Sequence, residues 1–402
     1  MQSLNIILTC LLVVCIFDPG DKILYMKVPL FLLSWLIFYS MIIINNKSVT
    51  VDKRLLNLVC CMLLIPLVSI TYYCILNGIE SDDGLVYYKS YLFVSLAFIL
   101  YAAKINLIPT LSWVLTFLSL LIFIICALYS IYPDTGYVIY LLGLEYGNIS
   151  ISNKQYGGYE YTTFFYMTSL MLAIAISYFT YKALITNRMP RIKYSIMALI
   201  NIYAMFLGGS RNNILVSLLL PLLVLFWYSK KRNIKIFIMP ALLVIIAMLP
   251  SFYGILLDMF SLSETSNAHK AGYLVDYLKV FVSNPINLFL GQGIGSSNYW
   301  EVLGGYASIT ELTLLELFRN YGLIGGCVFL IILLYPLKDL WDKSKIDIHY
   351  YLLGYLSYLF MALFNPIFFT SSGMLLFAII IANTFSFKSE LPATVSVALD
   401  PA

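Results

Sequence analysis

The chain has 402 residues, is 61% hydrophobic and only 11% charged, and carries a formal net charge of +4. Soluble globular domains contain roughly a quarter charged residues, so this composition excludes an ordinary soluble protein. The small positive charge gives no indication of nucleic-acid binding. Apolar stretches of about 18 residues or more recur, each long enough to cross a bilayer as a helix, and the two-residue alternation of a membrane barrel is absent. The composition therefore predicts an all-α polytopic membrane protein.

In chain order, the apolar stretches predict about twelve membrane helices. The first lacks the basic start and the cleavage site of a signal peptide, so we expect it to be retained. These helices divide the chain into nine spans over 1–250, a large loop over 251–311, three spans over 312–387 and a disordered tail over 388–402. The predicted spans lie near residues 3–17, 23–45, 55–76, 87–103, 109–131, 162–181, 193–208, 212–228, 234–250, 312–335, 348–365 and 367–385.

The distribution of basic residues predicts the orientation of these helices. When the connectors are counted in chain order, the even-numbered ones and the C-terminus hold most of the 24 lysines and arginines. Basic residues concentrate in cytoplasmic connectors, so we expect both termini in the cytoplasm and the odd-numbered connectors outside. The residues on which this inference depends are Lys47, Lys53, Arg54, Lys104, Lys182, Arg188, Arg191, Lys193, Lys230, Lys231, Arg232, Lys235, Lys338, Lys343, Lys345 and Lys388.

Two long polar connectors fall on the predicted outer face. The longer covers residues 251–310, and the other covers about 133–161 and is rich in tyrosine. Elsewhere the charges lie mainly in short connectors, so we expect the function to be carried by this outer face. The seven cysteines show no metal-ligand spacing and are interpreted as small apolar side chains.

Arg211 lies in the tight turn GGSRNN at residues 208–213, between two predicted helices and on the predicted outer face. A guanidinium holds phosphate through two parallel hydrogen bonds, and the start of the following helix adds free N–H groups and a positive dipole. Arg211 is therefore a candidate anion ligand, with Ser210 as a weaker neighbour. The alternative is an arginine whose charged end reaches the membrane interface only to be solvated.

Glu311 and Arg319 lie at the start of the helix that follows the longer loop. They are eight residues apart, which places them on roughly one face of a helix. A partly buried Glu311 would have a raised pKa and suit a general base, or it could instead favour the positive end of the helix dipole after a Thr310 cap. Arg319 is a candidate phosphate ligand, or it could pair with Glu316.

His269 and Lys270 begin a stretch in which aromatic and apolar residues recur at helical spacing, starting with Tyr273. This pattern predicts an amphipathic helix lying on or over the site. Lys270 is a candidate for a second phosphate contact, or it is simply a surface charge. His269 and Tyr273 are weaker candidates for contacts to a sugar.

The run GQGIG at 291–295 has the superficial form of a nucleotide-binding loop, but no alternating strand and helix pattern surrounds it. We interpret it as a flexible turn that returns the loop toward the membrane. The outer connectors also lack an Asp-x-Asp pair and a cluster of histidine, cysteine and carboxylate residues. We therefore expect metal-independent chemistry and no cofactor.

Four features occur in a fixed order: Ser210-Arg211 opening a helix, the large outer loop, LGQGIG at 290–295 and LLELFRNYGLIGG at 314–326. This order resembles the O-antigen polymerase and ligase superfamily, and the tyrosine-rich chain of about twelve helices is most similar to its Wzy-type polymerases. The architectural resemblance covers most of the chain, and its sequence-specific part spans about 208–213 and 269–326.

The resemblance implies a GT-C-like glycosyltransferase on the outer face of the bacterial cytoplasmic membrane. Such enzymes transfer a glycan from undecaprenyl pyrophosphate to a sugar hydroxyl. In polymerases the acceptor is the distal sugar of another lipid-linked repeat unit, and in ligases it is lipid A-core. A chain-length regulator and a flippase are implied as partners. A lipid-linked oligosaccharide flippase is the alternative from another class, although the predicted helix interiors are nearly free of charge apart from Lys27.

The resemblance also implies roles for individual residues. Family ligases carry an arginine where this chain has Arg211, and a second basic residue, usually arginine, where it has His269 or Lys270. They often place a histidine about eleven residues before the glycine of the GLIG turn, where this chain has Glu311; this departure favours a polymerase over a ligase. We expect Arg211, Lys270 and Arg319 to hold the pyrophosphate and Glu311 to activate the acceptor hydroxyl.

Overall fold

The protein is mostly helical, and among the residues that the structure describes seven helices are long and apolar enough to cross a membrane. This agrees with the predicted all-α membrane class, while the count of about twelve spans stays a prediction. The predicted span 234–250, the start of the loop at 251–264 and the predicted tail 388–402 lie outside the described residues. The structure, a computed structural model, describes residues 1–22, 25–46, 49–77, 82–132, 134, 137–138, 141, 149–156, 159–228, 265–341 and 350–386.

The helices of the described residues follow the predicted apolar stretches closely. Short 3-10 segments at Leu92–Ser95, Met167–Met171, Tyr335–Trp341 and Pro366–Phe369 extend or join them. The helices are α1 (Gln2–Phe17), α2 (Lys27–Ile44), α3 (Lys53–Asn77), α4 (Asp82–Tyr91), α5 (Leu96–Ala102), α6 (Ile108–Ile131), α7 (Leu172–Ile185), α8 (Arg188–Leu207), α9 (Arg211–Tyr228), α10 (Thr265–Ser283), α11 (Pro285–Leu290), α12 (Thr313–Leu334), α13 (Leu352–Ala362) and α14 (Ser371–Ser386).

Two helices form the centre of the bundle. In α7 every residue from Leu172 to Tyr181 is buried, and in α14 every residue from Ser371 to Phe385. A helix that is apolar on all sides needs neighbours on all sides. Accordingly, α7 packs against α6, α8, α9 and α13, while α14 packs against α1 and α5. The outer helices α2, α3 and α9 instead expose leucines such as Leu36, Leu67 and Leu223, as expected of surfaces that face lipid.

A β-hairpin replaces the start of the predicted helix 162–181, so that boundary is wrong. Strand β1 (Ile149–Tyr156) pairs antiparallel with β2 (Tyr159–Tyr166), and α7 begins only after a 3-10 segment. Aromatic and β-branched residues dominate β2 and favour extended backbone. The Gly-Gly dipeptide between the strands is a sequence signal for a tight hairpin that our prediction did not use.

Helix α12 is broken at Gly322. The predicted span 312–335 matches its bounds, but Gly322 adopts φ 67° and ψ 179°, a conformation that glycine reaches most readily. A break releases backbone carbonyls of the preceding turn, which then need other donors. The Asn320 carbonyl accepts from Ser69 Oγ of α3 at 2.7 Å, and the Arg319 carbonyl accepts from the Gln292 N–H at 2.7 Å. Helix α3 and the loop thus supply hydrogen-bond donors to the carbonyls that the break releases.

The described part of the longer loop folds into two helices and a small hairpin. Helix α10 confirms the predicted amphipathic helix, and α11 leads into the glycine run. Strand β3 (Asn298–Trp300) then pairs with β4 (Gly305–Ala307). Gly291, with φ 81°, lies so close to α12 that a Cβ there would be 2.5 Å from the Gly322 nitrogen. The predicted turn that returns the loop to the helices is therefore confirmed.

Candidate functional site

The Arg211 turn lies in contact with the first part of the loop helix. Arg211 is the first residue of α9, and its Nη1 donates a hydrogen bond to Asn267 Oδ1 near the start of α10. The two residues are 56 positions apart in the chain. Lys270 follows Asn267 by one helical turn, so the structure brings together the two segments in which the pyrophosphate ligands were predicted.

The turn itself is held in place from two sides. Ser210 Oγ accepts the Asn213 N–H at 3.1 Å, which is the usual arrangement of a helix N-cap. Gly209 has φ 62°, and a Cβ there would lie 2.5 Å from Cβ of Thr163 on β2. The hairpin therefore packs directly against the turn. Ser210, predicted as a weak substrate contact, has a structural role in presenting Arg211.

A second polar side chain lies one turn into the same helix. Asn213 is 0% exposed, and neither its Nδ2 nor its Oδ1 has a hydrogen-bond partner among the described residues. The buried hydroxyl of Ser169 on the neighbouring 3-10 segment is likewise unpaired there. Both groups flank Gly208, where an added Cβ would be 2.9 Å from Asn213 Nδ2 and 3.9 Å from Ser169 Oγ. Buried amides are normally paired, so this one is a candidate for binding a polar ligand group beside Arg211.

Lys270 and His269 differ in their surroundings. The Lys270 ammonium lies 5.8 Å from the ring centroid of Phe364, just beyond the end of α13, which is within the range of a cation–π contact. His269 is exposed. Lys270 thus connects the start of α10 to the residues that follow α13. His269 lies on the exposed side of α10.

Tyr273 belongs to an aromatic core inside the loop. It is 5% exposed and packs edge-on against Trp300, with the ring centroids 5.7 Å apart. Tyr277 packs on the same Trp300 and is also buried. Burial raises the pKa of Tyr273, and the nearby Glu311 charge raises it further. The expectation that Tyr273 offers its ring to a sugar does not fit this position, because the ring is already covered.

Arg319 and Glu316 form a completely buried ion pair. Both side chains are 0% exposed, and Arg319 donates to Glu316 from Nε and Nη2. The remaining guanidinium donors bind Ser296 Oγ at 2.5 Å, the Ser296 carbonyl at 3.0 Å and the Ser308 carbonyl at 2.7 Å. The geometry therefore favours the ion-pair alternative for Arg319, because its donors are all directed at the protein.

Glu316 is correspondingly saturated. It accepts from Tyr277 Oη at 2.5 Å and from Asn320 Nδ2 at 3.1 Å in addition to Arg319. Burial raises the pKa of Tyr277 above its usual range, and the Glu316 carboxylate adds to this, so the phenol remains a neutral donor. Tyr277 of α10, Ser296 before β3 and Ser308 after β4 all bond to this buried pair on α12, which holds the loop against the helix.

Glu311 lies outside this network. It precedes α12, whose first residue is Thr313, and its side chain is exposed. The expectation of a partly buried carboxylate on the same helical face as Arg319 is therefore wrong, because the helix starts two residues later. The alternative role at the helix end is weakened as well, since the N-cap position is Leu312 rather than Thr310. Glu311 remains a carboxylate accessible from the loop side of the bundle.

Asn267 and Asn213 are the polar residues of this region that the sequence did not single out. The signal was present, because each amide sits in or near the first turn of a helix beside a predicted cation. Comparison with protein-family models, with curated proteins and with solved structures finds no match for this chain.

Proposed function

We propose that the protein is a surface-polysaccharide polymerase of the Wzy type with a GT-C-like arrangement of helices. It transfers a glycan from undecaprenyl pyrophosphate to the distal sugar of another lipid-linked repeat unit. The observation that carries this proposal is the contact between Arg211 and Asn267, which joins the arginine turn to the loop helix bearing Lys270. The motif order resembles a family whose donor pyrophosphate is held by basic residues at these two positions.

The proposed chemistry needs little more than this arrangement. The acceptor hydroxyl oxygen forms a bond to the anomeric carbon of the donor while the bond from that carbon to the pyrophosphate oxygen breaks. The bonding electrons leave with the pyrophosphate, and Glu311 takes the hydroxyl proton. Arg211 and the first N–H groups of α9 face the charge that develops on the leaving group. Asn213 adds an amide donor at the same helix end.

Glu311 lies where an acceptor sugar can reach it, because its side chain is exposed. An acceptor glycan must arrive from the aqueous side, because the distal sugar is the end furthest from its lipid. An exposed carboxylate at the junction of loop and helix can meet that sugar without a change of fold. Lys270, one turn beyond Asn267, would neutralise a second phosphate. Arg319 is assigned a supporting role, since its ion pair with Glu316 holds the loop in place.

The proposal includes a location. The polar loop would lie on the outer face of the bacterial cytoplasmic membrane, with both termini in the cytoplasm, because the basic residues concentrate in the connectors that the sequence assigns to the other side. The partners would be donor and acceptor lipid-linked oligosaccharides and membrane lipids, together with a chain-length regulator and a flippase.

The test is a polymerisation assay on purified protein in detergent, with an undecaprenyl-pyrophosphate repeat unit as the only substrate and products separated as a gel ladder. We expect a ladder from the wild type and none from Arg211→Ala or Glu311→Gln. Lys279→Gln is the matched control, because Lys279 lies on the same loop helix but pairs with Glu301 at the surface. Its ladder should equal that of the wild type.

The remaining outcomes contradict the proposal in distinct ways. Glycan transfer that requires added lipid A-core would make the protein a ligase. Movement of the lipid-linked oligosaccharide across a vesicle membrane without new glycosidic bonds would make it a flippase. A normal ladder from Glu311→Gln would leave the polymerase in place and remove Glu311 as the base.

A further inference from the structure

A cavity of about 190 Å³ with both apolar and polar walls opens beside the loop, between α1, α2, α4 and the start of α14. It shares the face of the bundle that carries the loop, because Ile309 contributes to its wall and Tyr87 Oη lies 3.3 Å from Ser308 Oγ. Nothing in the predicted catalytic apparatus uses it. Its polar side chains are Asp21, Lys27, Tyr87, Lys89, Ser90, Thr370 and Ser371.

Lys27 is the central feature of this cavity. It is 2% exposed, and its ammonium donates to the Pro19 carbonyl at 2.6 Å and to Ser371 Oγ at 3.0 Å. An ammonium has three donors, and the described residues take up two of them. Among the described residues no carboxylate lies within ion-pair distance of Lys27. Lys27 is thus buried with two neutral hydrogen-bond partners and with the Asp21 carboxylate in the same cavity. A buried lysine in this setting is a candidate for binding an anionic ligand.

Further positive groups face the same space. Lys89 of α4 is exposed and forms part of the opposite wall. Helix α14 begins at Ser371, so the positive end of its dipole points toward Lys27. Thr370 Oγ1 accepts the Gly373 N–H at 3.3 Å, which fixes this helix end. Two lysines and a helix N-terminus converging on one cavity form a site for a phosphate group.

Negative charge is also present and is largely committed to the backbone. Asp21 Oδ1 accepts the Lys27 N–H at 3.4 Å, and the buried Asp18 accepts the Lys22 N–H at 3.0 Å. Asp21 lines the cavity itself, whereas Asp18 and the exposed Lys22 do not. The Asp21 carboxylate therefore weakens binding of an anion without preventing it, which gives a variant of opposite sign for the test.

An apolar track leads away from the cavity. Val28 lines it, and Val28, Leu32 and Leu36 follow one another at intervals of four residues along α2, all exposed. Residues at this spacing lie on one helical face. A phosphate bound at Lys27 and Lys89 would thus have an isoprenyl chain running along the lipid-facing side of α2.

We propose that this cavity binds the pyrophosphate of a second isoprenyl-pyrophosphate-linked glycan. The inference rests on the proposed function, since a polymerase holds a donor and an acceptor that both carry this group. The cavity is separate from the Arg211 turn: strand β2 lies between them, with Thr163 near Gly209 and Tyr166 Oη bonded to the Phe17 carbonyl at 2.6 Å. The donor lies at Arg211, and the acceptor's own pyrophosphate lies at Lys27 and Lys89.

The experiment is a calorimetric titration of purified protein with farnesyl pyrophosphate. We expect the wild type to show two binding events. Lys89→Gln should weaken one of them at least about tenfold, and Arg211→Ala should weaken the other. Asp21→Asn should tighten the event that Lys89→Gln weakens. Lys22→Gln is the matched control, since this lysine belongs to the same connector but faces away, and it should bind as the wild type does. Lys89 is exposed, so its replacement leaves the buried Lys27 network intact.

Three results would overturn the inference. Unchanged binding in both Lys89→Gln and Asp21→Asn would remove the site. Inorganic pyrophosphate binding as tightly as the farnesyl compound would make it a site for a free anion, and displacement by phosphatidylglycerol vesicles would make it a site for an ordinary lipid headgroup. The binding assay and the ladder assay distinguish failure of this inference from failure of the proposed function. If Lys89→Gln weakens binding but the wild type forms no ladder, the result contradicts polymerisation and leaves the binding site in place.

Discussion

Arg319 and Glu316 are both completely buried and bonded to each other, three residues apart near the start of α12. Their position explains why the loop folds against the membrane helices. The guanidinium also binds the loop at Ser296 and Ser308, and the carboxylate binds Tyr277. One ion pair therefore connects α10, the glycine run and β4 to α12. Such a pair is costly to break, because each partner leaves the other as an uncompensated buried charge.

Replacing Arg319 by Met should therefore destabilise the protein by about 3–5 kcal/mol, because Glu316 remains buried without its cation. Thermal unfolding in detergent, followed by tryptophan fluorescence, measures the change. The double variant Arg319→Met with Glu316→Leu should recover much of the loss. Glu301→Ala, which removes only the exposed partner of Lys279, should leave the melting temperature unchanged. A fully stable Arg319→Met protein that no longer binds farnesyl pyrophosphate would instead make Arg319 a ligand.

The break in α12 leads to a prediction about Gly322. Alanine there is forced to φ 67°, which costs about 1–3 kcal/mol, and its Cβ would lie 2.5 Å from the Gly291 nitrogen. Gly322→Ala should lower the melting temperature and open the glycine run to limited proteolysis. Gly305→Ala serves as control, because a Cβ at Gly305 has nothing within 4 Å. Equal protease resistance in the two variants would show that the break does not hold the loop.

The contact between Arg211 and Asn267 can be tested by changing charge while keeping shape. Asn267→Asp preserves the accepting oxygen but places a carboxylate against the guanidinium. The arginine would then be neutralised by its own neighbour, so ladder formation should fall at least about tenfold while stability is kept or increased. Asn267→Ala should reduce activity less, since it leaves Arg211 with its full charge. The opposite order of the two variants would show that the contact is only structural.

Replacing Asn213 should have opposite effects on the stability of the protein and on its activity. Its buried amide has no partner among the described residues, and an unsatisfied buried group costs about 1–3 kcal/mol. Asn213→Leu, which keeps the same branched arrangement of heavy atoms, should therefore raise the melting temperature, and it should lower polymerisation because the amide is proposed to meet substrate. Ser217→Ala, one turn further along α9 at another buried polar position, should not lower polymerisation. A stabilised Asn213→Leu variant with full activity would remove Asn213 from the site.

The helices could be predicted from the sequence because length and apolarity decide them in a membrane. The bounds of α6, α9 and α12 agree with the predicted spans within one or two residues. The meeting of Arg211 with the start of α10 could also be anticipated, but only through the resemblance in motif order. Hydropathy carries no information about which turn touches which loop.

The positions of Glu311 and Tyr273 could not be predicted, and for different reasons. Glu311 was placed on a helix that begins at Thr313, and a shift of two residues turned a half-buried carboxylate into an exposed one. Tyr273 has an aromatic ring of the kind on which sugars stack, yet Trp300, 27 positions later, covers it. Long-range packing inside a polar loop produces no periodic pattern in the sequence. The sequence pattern likewise does not show that Lys27 and Lys89, which lie on different helices, line one cavity.

The break at Gly322 also sets the smallest unit that can be exchanged with a relative. The carbonyls it releases are satisfied from the loop by Gln292 and from α3 by Ser69, whose hydroxyl also accepts the Ile294 N–H at 3.0 Å. A chimera that transplants the loop alone would separate Gln292 from the helix it completes. A workable graft takes the loop together with α12 and keeps serine at position 69, so the loop and this helix form one structural block.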